Sequence, residues 1–174
     1  MLEEEIVKAG AFKLGNFTLA SGRKSDYYVD LRAVTTQPHL LRKVALAMKP
    51  HVVDCDRIAG VELGAVPIAV ALSLETGIPY IMVRKQKKDH GAGKLVEGEL
   101  RPGERVVFVE DTVTTAGSLI KAIQAVSEMG GIVKQAIVIV DREEGAEENL
   151  CKMNVEIVSI ASIARLRECS KDGA

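Results

Sequence analysis

Residues 106–118 read VVFVEDTVTTAGS, and this stretch decides the fold. Val106 to Val109 form a short β-branched run, as in a strand buried on both faces, while Ser118 onward carries the 3.6-residue periodicity of a helix. Between them lie two adjacent acids, Glu110 and Asp111, and a turn of small residues. Small side chains bring backbone N–H groups close together, and the helix start adds the positive end of its dipole, so such a turn favours a bound phosphate. Thr112, Thr114, Thr115 and Ser118 add hydroxyl donors. Carboxylates repel a phosphate unless they face another part of the ligand, such as ribose hydroxyls or a cation. The pair therefore points to a sugar phosphate accompanied by Mg2+.

The lysine-bearing pattern GxxxxGK[ST] and the dinucleotide fingerprint GxGxxG are both absent, which removes those nucleotide-binding readings. An ordinary strand-to-helix turn capped by Thr or Ser is the plain alternative. The acid pair ahead of TVTTAGS is the more specific feature.

Around this stretch, 174 residues suit one compact domain, and 47% hydrophobic with 27% charged residues suit a globular chain able to bury a core. A net charge of −1 offers no global attraction for nucleic acid or an anionic membrane. Cys55, Cys151 and Cys169 are odd in number and lack CxxC spacing, so neither a disulfide framework nor a zinc site is indicated, and a reducing cytoplasm fits best. The start MLEEEIVKAGAF is acidic and amphipathic, unlike a signal peptide, and no apolar run is long enough to span a bilayer.

Residues 2 to 11 read as a short helix, followed by strand-like pieces with Gly15-Asn16 and Ser21-Gly22 turns that make a small antiparallel flap. Pro38 is placed to start a helix that runs to Pro50. Strands are then expected near 57–61, 78–83, 105–109, 133–140 and 155–160, and helices near 65–76, 118–129 and 143–151. This alternation predicts an α/β fold, a mainly parallel sheet flanked by helices, with 1–36 as an N-terminal hood and 37–174 as the core of one domain. Ligands in such sheets bind beyond the carboxyl ends of the strands, which gathers the turns after Val61, Val83, Val109 and Val140 around one site.

Each of those turns carries unusual chemistry. ELGAVPIA after Val61 has Gly64 and Ala65 for close backbone approach to a diphosphate, or is simply a tight loop. RKQKKDHGAGK after Val83 places Arg84, Lys85, Lys87, Lys88 and Lys94 beside a glycine-containing segment. Such a run is usually a solvated face; next to an anion site it reads as a cationic lid, with His90 as a donor to a diphosphate leaving group. In DREEG after Val140, Arg142 is either half of a surface ion pair or a fork for a planar carboxylate.

These segments, in this order, resemble orotate phosphoribosyltransferase over nearly the whole chain. EDTVTTAGS resembles the phosphoribosyl diphosphate (PRPP) signature of type I phosphoribosyltransferases. FTLASGRKSDYYVDLR resembles the family's flap, and RKQKKDHG its mobile loop. The resemblance implies PRPP contacts from Arg84, Lys85, Lys88, His90 and the loop Glu110, Asp111, Thr112, Val113, Thr114, Thr115, Ala116, Gly117 and Ser118. Orotate contacts are implied for Thr114, Arg142, Tyr27 and Tyr28, and catalytic roles for Lys88, His90, Glu110 and Asp111. It further implies orotidine 5'-monophosphate and diphosphate as products, Mg2+ bound mainly through PRPP rather than by protein ligands, and a homodimer whose loops are shared between subunits. Ala20 and Leu63-Gly64 depart from residues common in the family, Lys and Tyr-Lys, and contacts from those positions do not carry over. Ala116 stands where many relatives have glycine. A phosphoribosyltransferase for another base stays open because base choice rests on few contacts. A PRPP-sensing regulator lacks support, since no basic face accompanies the fold.

Overall fold

A computed structural model describes residues 1–18, 22, 24–86 and 95–172. Helix α1 (Leu2–Lys8) leads into an antiparallel hairpin of β1 (Phe12–Thr18) and β2 (Lys24–Val29), then α2 (Arg32–Thr35) and α3 (Pro38–Met48). From there β3 (Arg57–Val61), α4 (Val66–Thr76), β4 (Tyr80–Val83), β5 (Val96–Glu97), β6 (Arg105–Val113), α5 (Gly117–Glu128), β7 (Ile132–Asp141), α6 (Ala146–Cys151), β8 (Glu156–Ser162) and α7 (Ile163–Asp172) complete the chain. The large sheet has the order β5-β4-β3-β6-β7-β8; all neighbours run parallel except β4 and β5.

Period-two alternation divides the core between the two faces of this sheet. On β6, Val107 and Val109 join Ile58, Ile137 and Ile139 under α1, α3, α4 and α7, where Ile6, Val44, Ile68 and Leu166 are buried. Val106 and Phe108 face the other way and pack with Leu119, Ile123 and Val126 of α5 and Leu150 of α6. Phe108 is fully buried, and its truncation to Ala would cost about 3–5 kcal/mol. On the first face α4 sits so close to β3 that a Cβ on Gly60 would stand 2.7 Å from the Ala65 carbonyl oxygen and 2.9 Å from Ala69 Cβ.

The chain leaves β3 towards β4 on one side and returns to β6 on the other. That reversal opens a crevice beyond the carboxyl ends of β3 and β6, where ligands of parallel sheets bind.

The mainly parallel, helix-flanked sheet and the N-terminal hairpin stand as expected. Several details differ. Strand β6 runs on to Val113, so Glu110 and Asp111 lie within the strand, because Glu110 and Thr112 still pair with Val138 and Val140. The third connecting helix starts at Ala146 rather than Glu143: the Asp141 carboxylate accepts the Glu143 N–H at 2.8 Å, and Glu143 (φ 59) and Gly145 (φ 101) take left-handed backbone that ends helical extension. The edge strand β5 is only two residues long, too short to show alternation. Helix α7 was not expected; IARLRECSKD is largely polar and buries only Ile163 and Leu166 strongly.

Candidate active site

A cavity of ≈ 540 Å³ lies at the carboxyl ends of β3, β4 and β6. Asp111 and Thr112 come from β6, Lys85 follows β4, and Leu63 and Gly64 form the turn after β3, with Pro67 in the first turn of α4. The opposite wall is the segment that leaves the hairpin, with Asp30, Leu31, Arg32, Thr35 and Thr36. Strand direction brings the first set together: parallel neighbours end on the same side, so three connections converge without any contact between them in sequence.

The two acids meet different fates because a strand turns successive side chains to opposite faces. Glu110 continues the row of Val106 and Phe108 and is only 7% exposed. Burial, and then the neighbouring charge of Asp111, push its carboxyl up to about 8. The Asp111 N–H donates to Glu110 Oε1 at 3.2 Å. Asp111 continues the row of Val107 and Val109 and faces the cavity, with its Oδ1 accepting the Thr112 N–H at 2.6 Å. A Cβ on Gly64 would lie 3.0 Å from Asp111 Cγ, so glycine is what allows the β3 turn to close against that carboxylate.

Beyond Val113 the turn Thr114–Ala116 delivers the start of α5. Ala116 holds left-handed backbone (φ 60) as the residue before the helix, and its side chain makes no capping hydrogen bond to the first turn. Gly117 and Ser118 are exposed there, and Thr115 is fixed from outside by Asn149 Nδ2, which donates to its carbonyl at 3.1 Å. This is an open anion site: first-turn amides lack intrahelical acceptors and carry the positive end of the dipole.

Lys85 is anchored by its N–H, which donates to Glu62 Oε1 at 2.8 Å. The Arg84 N–H donates to the Leu95 carbonyl at 2.8 Å, and its buried Nε has no hydrogen-bond partner among the described residues. Lys88 and His90 lie outside the described residues, as do Lys87, Lys94 and Ala20.

Arg142 follows β7, and its N–H donates to the Val113 carbonyl at 3.0 Å, which sets it directly beside the Thr114 turn. Its Nε donates to the Tyr27 hydroxyl at 3.2 Å and lies 3.2 Å from Glu144 Oε1. Tyr27 and Tyr28 occupy alternate positions of β2 and point to opposite faces of the hairpin. Tyr27 is 8% exposed and stacked on Phe12, while Tyr28 is 39% exposed and packs against Phe17. Asp30 and Arg32, which the motif reading missed, form a paired carboxylate and guanidinium at the cavity wall, with bonds of 2.7 and 2.8 Å. The run DLRAVTT carries no recognisable spacing, so only the folded hairpin reveals them.

Comparison with known proteins gives the same picture from another direction. Residues 31–165 match the phosphoribosyl transferase domain. The orotate phosphoribosyltransferase of Pyrococcus abyssi is 45% identical, with 97% of each chain covered. The crystal structure of orotate phosphoribosyltransferase from Aeropyrum pernix superposes with a TM-score of 0.87 at 35% identity, covering 100% of both chains. That of the Mycobacterium tuberculosis enzyme in complex with PRPP does so with a TM-score of 0.79 at 31% identity, over 96% of this chain and 99% of the other. The chain belongs to the phosphoribosyltransferase family, among the orotate phosphoribosyltransferases that it matches along nearly its whole length.

Proposed function

We propose that this chain transfers the ribose 5-phosphate group of PRPP to orotate with Mg2+, giving orotidine 5'-monophosphate and diphosphate in the synthesis of pyrimidine nucleotides. The observation that carries the reading is the meeting, at one end of the sheet, of an uncapped helix start, an acid facing a cavity, and a lysine across that cavity. The names of the relatives supply the base.

In this reading the amides and hydroxyls of Thr114 to Ser118 hold the 5'-phosphate, and Asp111 faces the ribose. The C1–O bond to the diphosphate breaks first, with the electron pair leaving on oxygen, and the ribose ring carries positive charge until the orotate nitrogen forms the new C–N bond. The proton of that nitrogen leaves with the diphosphate or solvent. Arg84, Lys85, Lys88 and His90 stabilise the departing diphosphate and exclude water, and Asp111, the acid that faces the cavity, provides negative potential beneath the developing cation. Thr114 and Arg142 meet the base, Arg142 through its guanidinium fork and the orotate carboxylate.

Among the described residues no group of three His, Cys, Asp or Glu side chains forms a metal cage. An ion held mainly through PRPP would keep several of its waters. Held there, Mg2+ would supply charge neutralisation on the leaving group.

We take residues 1–36 as the hood and 37–174 as the core of one transferase domain. We propose a homodimer with shared loops; Leu63 and Leu74, each 81% exposed, are apolar side chains that a second copy would cover. Among the described residues no helix is long and apolar enough to cross a membrane, and Cys55, Cys151 and Cys169 are unpaired, which supports a cytoplasmic enzyme. The test is PRPP-dependent consumption of orotate that stops on chelation with EDTA and resumes with added Mg2+; turnover that persists in EDTA would remove the ion from the reaction.

A further inference from the structure

Tyr27 joins three distant parts of the chain. Its ring stacks on Phe12, with centroids 5.6 Å apart and 22° between planes. Two guanidinium groups also lie over it, those of Arg142 and Arg167, each with Cζ 4.8 Å from the ring centroid. A ring's negative face attracts such cations, yet two of them beside one ring repel each other unless each is neutralised. Each is. Arg167, on α7, donates two parallel bonds of 2.7 and 2.8 Å to Asp26, the residue before Tyr27 on β2. Arg142 lies 3.2 Å from Glu144.

The consequence falls on the geometry of Arg142. Its Nε–H donates to the Tyr27 hydroxyl at 3.2 Å, and Glu144 Oε1 lies 3.2 Å from the same nitrogen as its ion-pair partner. Among the described residues neither of its Nη nitrogens donates a hydrogen bond. A planar carboxylate can meet a guanidinium side-on, through Nε and one Nη, or end-on, through both Nη nitrogens. With Nε engaged, only the end-on approach remains. The Arg142 side chain is 11% exposed and Arg167 is 33% exposed, so the contact runs from the surface of the C-terminal helix to the edge of the site.

We propose that Arg167 and Tyr27 are positioning residues for base recognition: Arg167, locked to Asp26, fixes the Tyr27 ring, and Tyr27 fixes Arg142 so that both Nη nitrogens meet the carboxylate of the base. The inference rests on the role proposed above for Arg142. Arg167 touches no substrate and acts only through Tyr27. It also gives α7 a task beyond packing, since a polar helix with few buried side chains ties the hairpin to the turn after β7. A stabilising contact alone would act on both substrates alike, whereas positioning of Arg142 is selective for the base.

Steady-state kinetics on the full chain with Mg2+, PRPP and orotate test this, using Tyr27→Phe, Arg167→Met, Arg142→Ala and the Arg142→Ala/Arg167→Met double variant. Tyr27→Phe removes only the hydroxyl and keeps the ring, so it guards against a misfolded Arg167 variant. Tyr27→Phe and Arg167→Met should each raise KM for orotate by about fivefold or more while KM for PRPP stays within about twofold. In the Arg142→Ala background, Arg167→Met should add nothing further. Equal rises in both KM values, or additive effects in the double variant, would reduce the contact to a structural one. If Arg142→Ala raises KM for orotate but the other two do not, the positioning inference alone fails. If Arg142→Ala leaves that KM unchanged, the assignment of Arg142 fails and takes the inference with it.

Discussion

Gly64 and Asp111 stand so close that a single methyl group on the glycine would meet the carboxylate, 3.0 Å from its Cγ. They lie at the ends of β3 and β6, adjacent strands between which the chain reverses its direction across the sheet. The carboxylate is held from two sides: Thr112 N–H donates to Oδ1 at 2.6 Å, and the β3 turn closes on Oδ2. Its aim into the cavity is therefore set by backbone.

Replacing Gly64 with Ala should displace Asp111 without touching the catalytic groups chemically. Overpacking of this kind costs about 1–3 kcal/mol. PRPP affinity should fall about tenfold, equivalent to ~1.4 kcal/mol, in a titration by calorimetry. Unaltered affinity would mean that the position of Asp111 is immaterial to the sugar phosphate.

Glu110 makes the stability of the unliganded protein depend on pH. Its carboxyl titrates near 8 when folded, against an ordinary value of 4.5. Below about 4.5 both states hold the proton; between about 4.5 and 8 the unfolded chain releases it and the folded chain keeps it, so this residue lowers stability as pH rises, and above 8 the loss is constant. Glu110→Gln removes the titration. Its advantage over the parent in unfolding free energy, read from urea denaturation, should grow from pH 5 to pH 8 and then level off, reaching on the order of a few kcal/mol. A difference that stays the same at every pH would show that Glu110 does not carry the proton.

Lys88→Ala should lower kcat at least about tenfold, or ~1.4 kcal/mol, with a smaller effect on KM for orotate. The reason is chemical: a cation that meets the leaving diphosphate acts more strongly in the transition state than in the ground state. Rapid-quench measurement of diphosphate release checks this, and an unchanged rate would remove Lys88 from the reaction.

Arg142→Lys keeps the charge and loses the planar fork. A point charge cannot make two parallel bonds to a carboxylate, so KM for orotate should rise about tenfold while KM for PRPP moves less than about twofold. Equal KM values for both proteins would show that charge alone suffices there.

The parallel core was legible because VVFVEDTVTTAGS couples a continuous apolar strand, buried on both faces, to a helix start. The acid pair was legible as a pair but not as two environments. Only the strand's continuation to Val113 places Glu110 among buried side chains and Asp111 in the cavity. Tyr27 and Tyr28 read as one aromatic feature, yet adjacent strand residues must part, and the two rings lie on different faces. Arg167 was invisible: it sits in a polar stretch with no motif, and its meaning comes from a contact 141 positions away in sequence.

Joining orotate to the ribose of PRPP is the activity assigned to this site. The most direct measurement is diphosphate release by the purified chain with Mg2+ and PRPP, with orotate, uracil, adenine, guanine and hypoxanthine supplied in parallel. Release should occur with orotate alone, accompanied by loss of orotate absorbance. Release with a purine would keep the PRPP site and overturn the assignment of the base, and PRPP binding without release for any base would contradict catalysis itself.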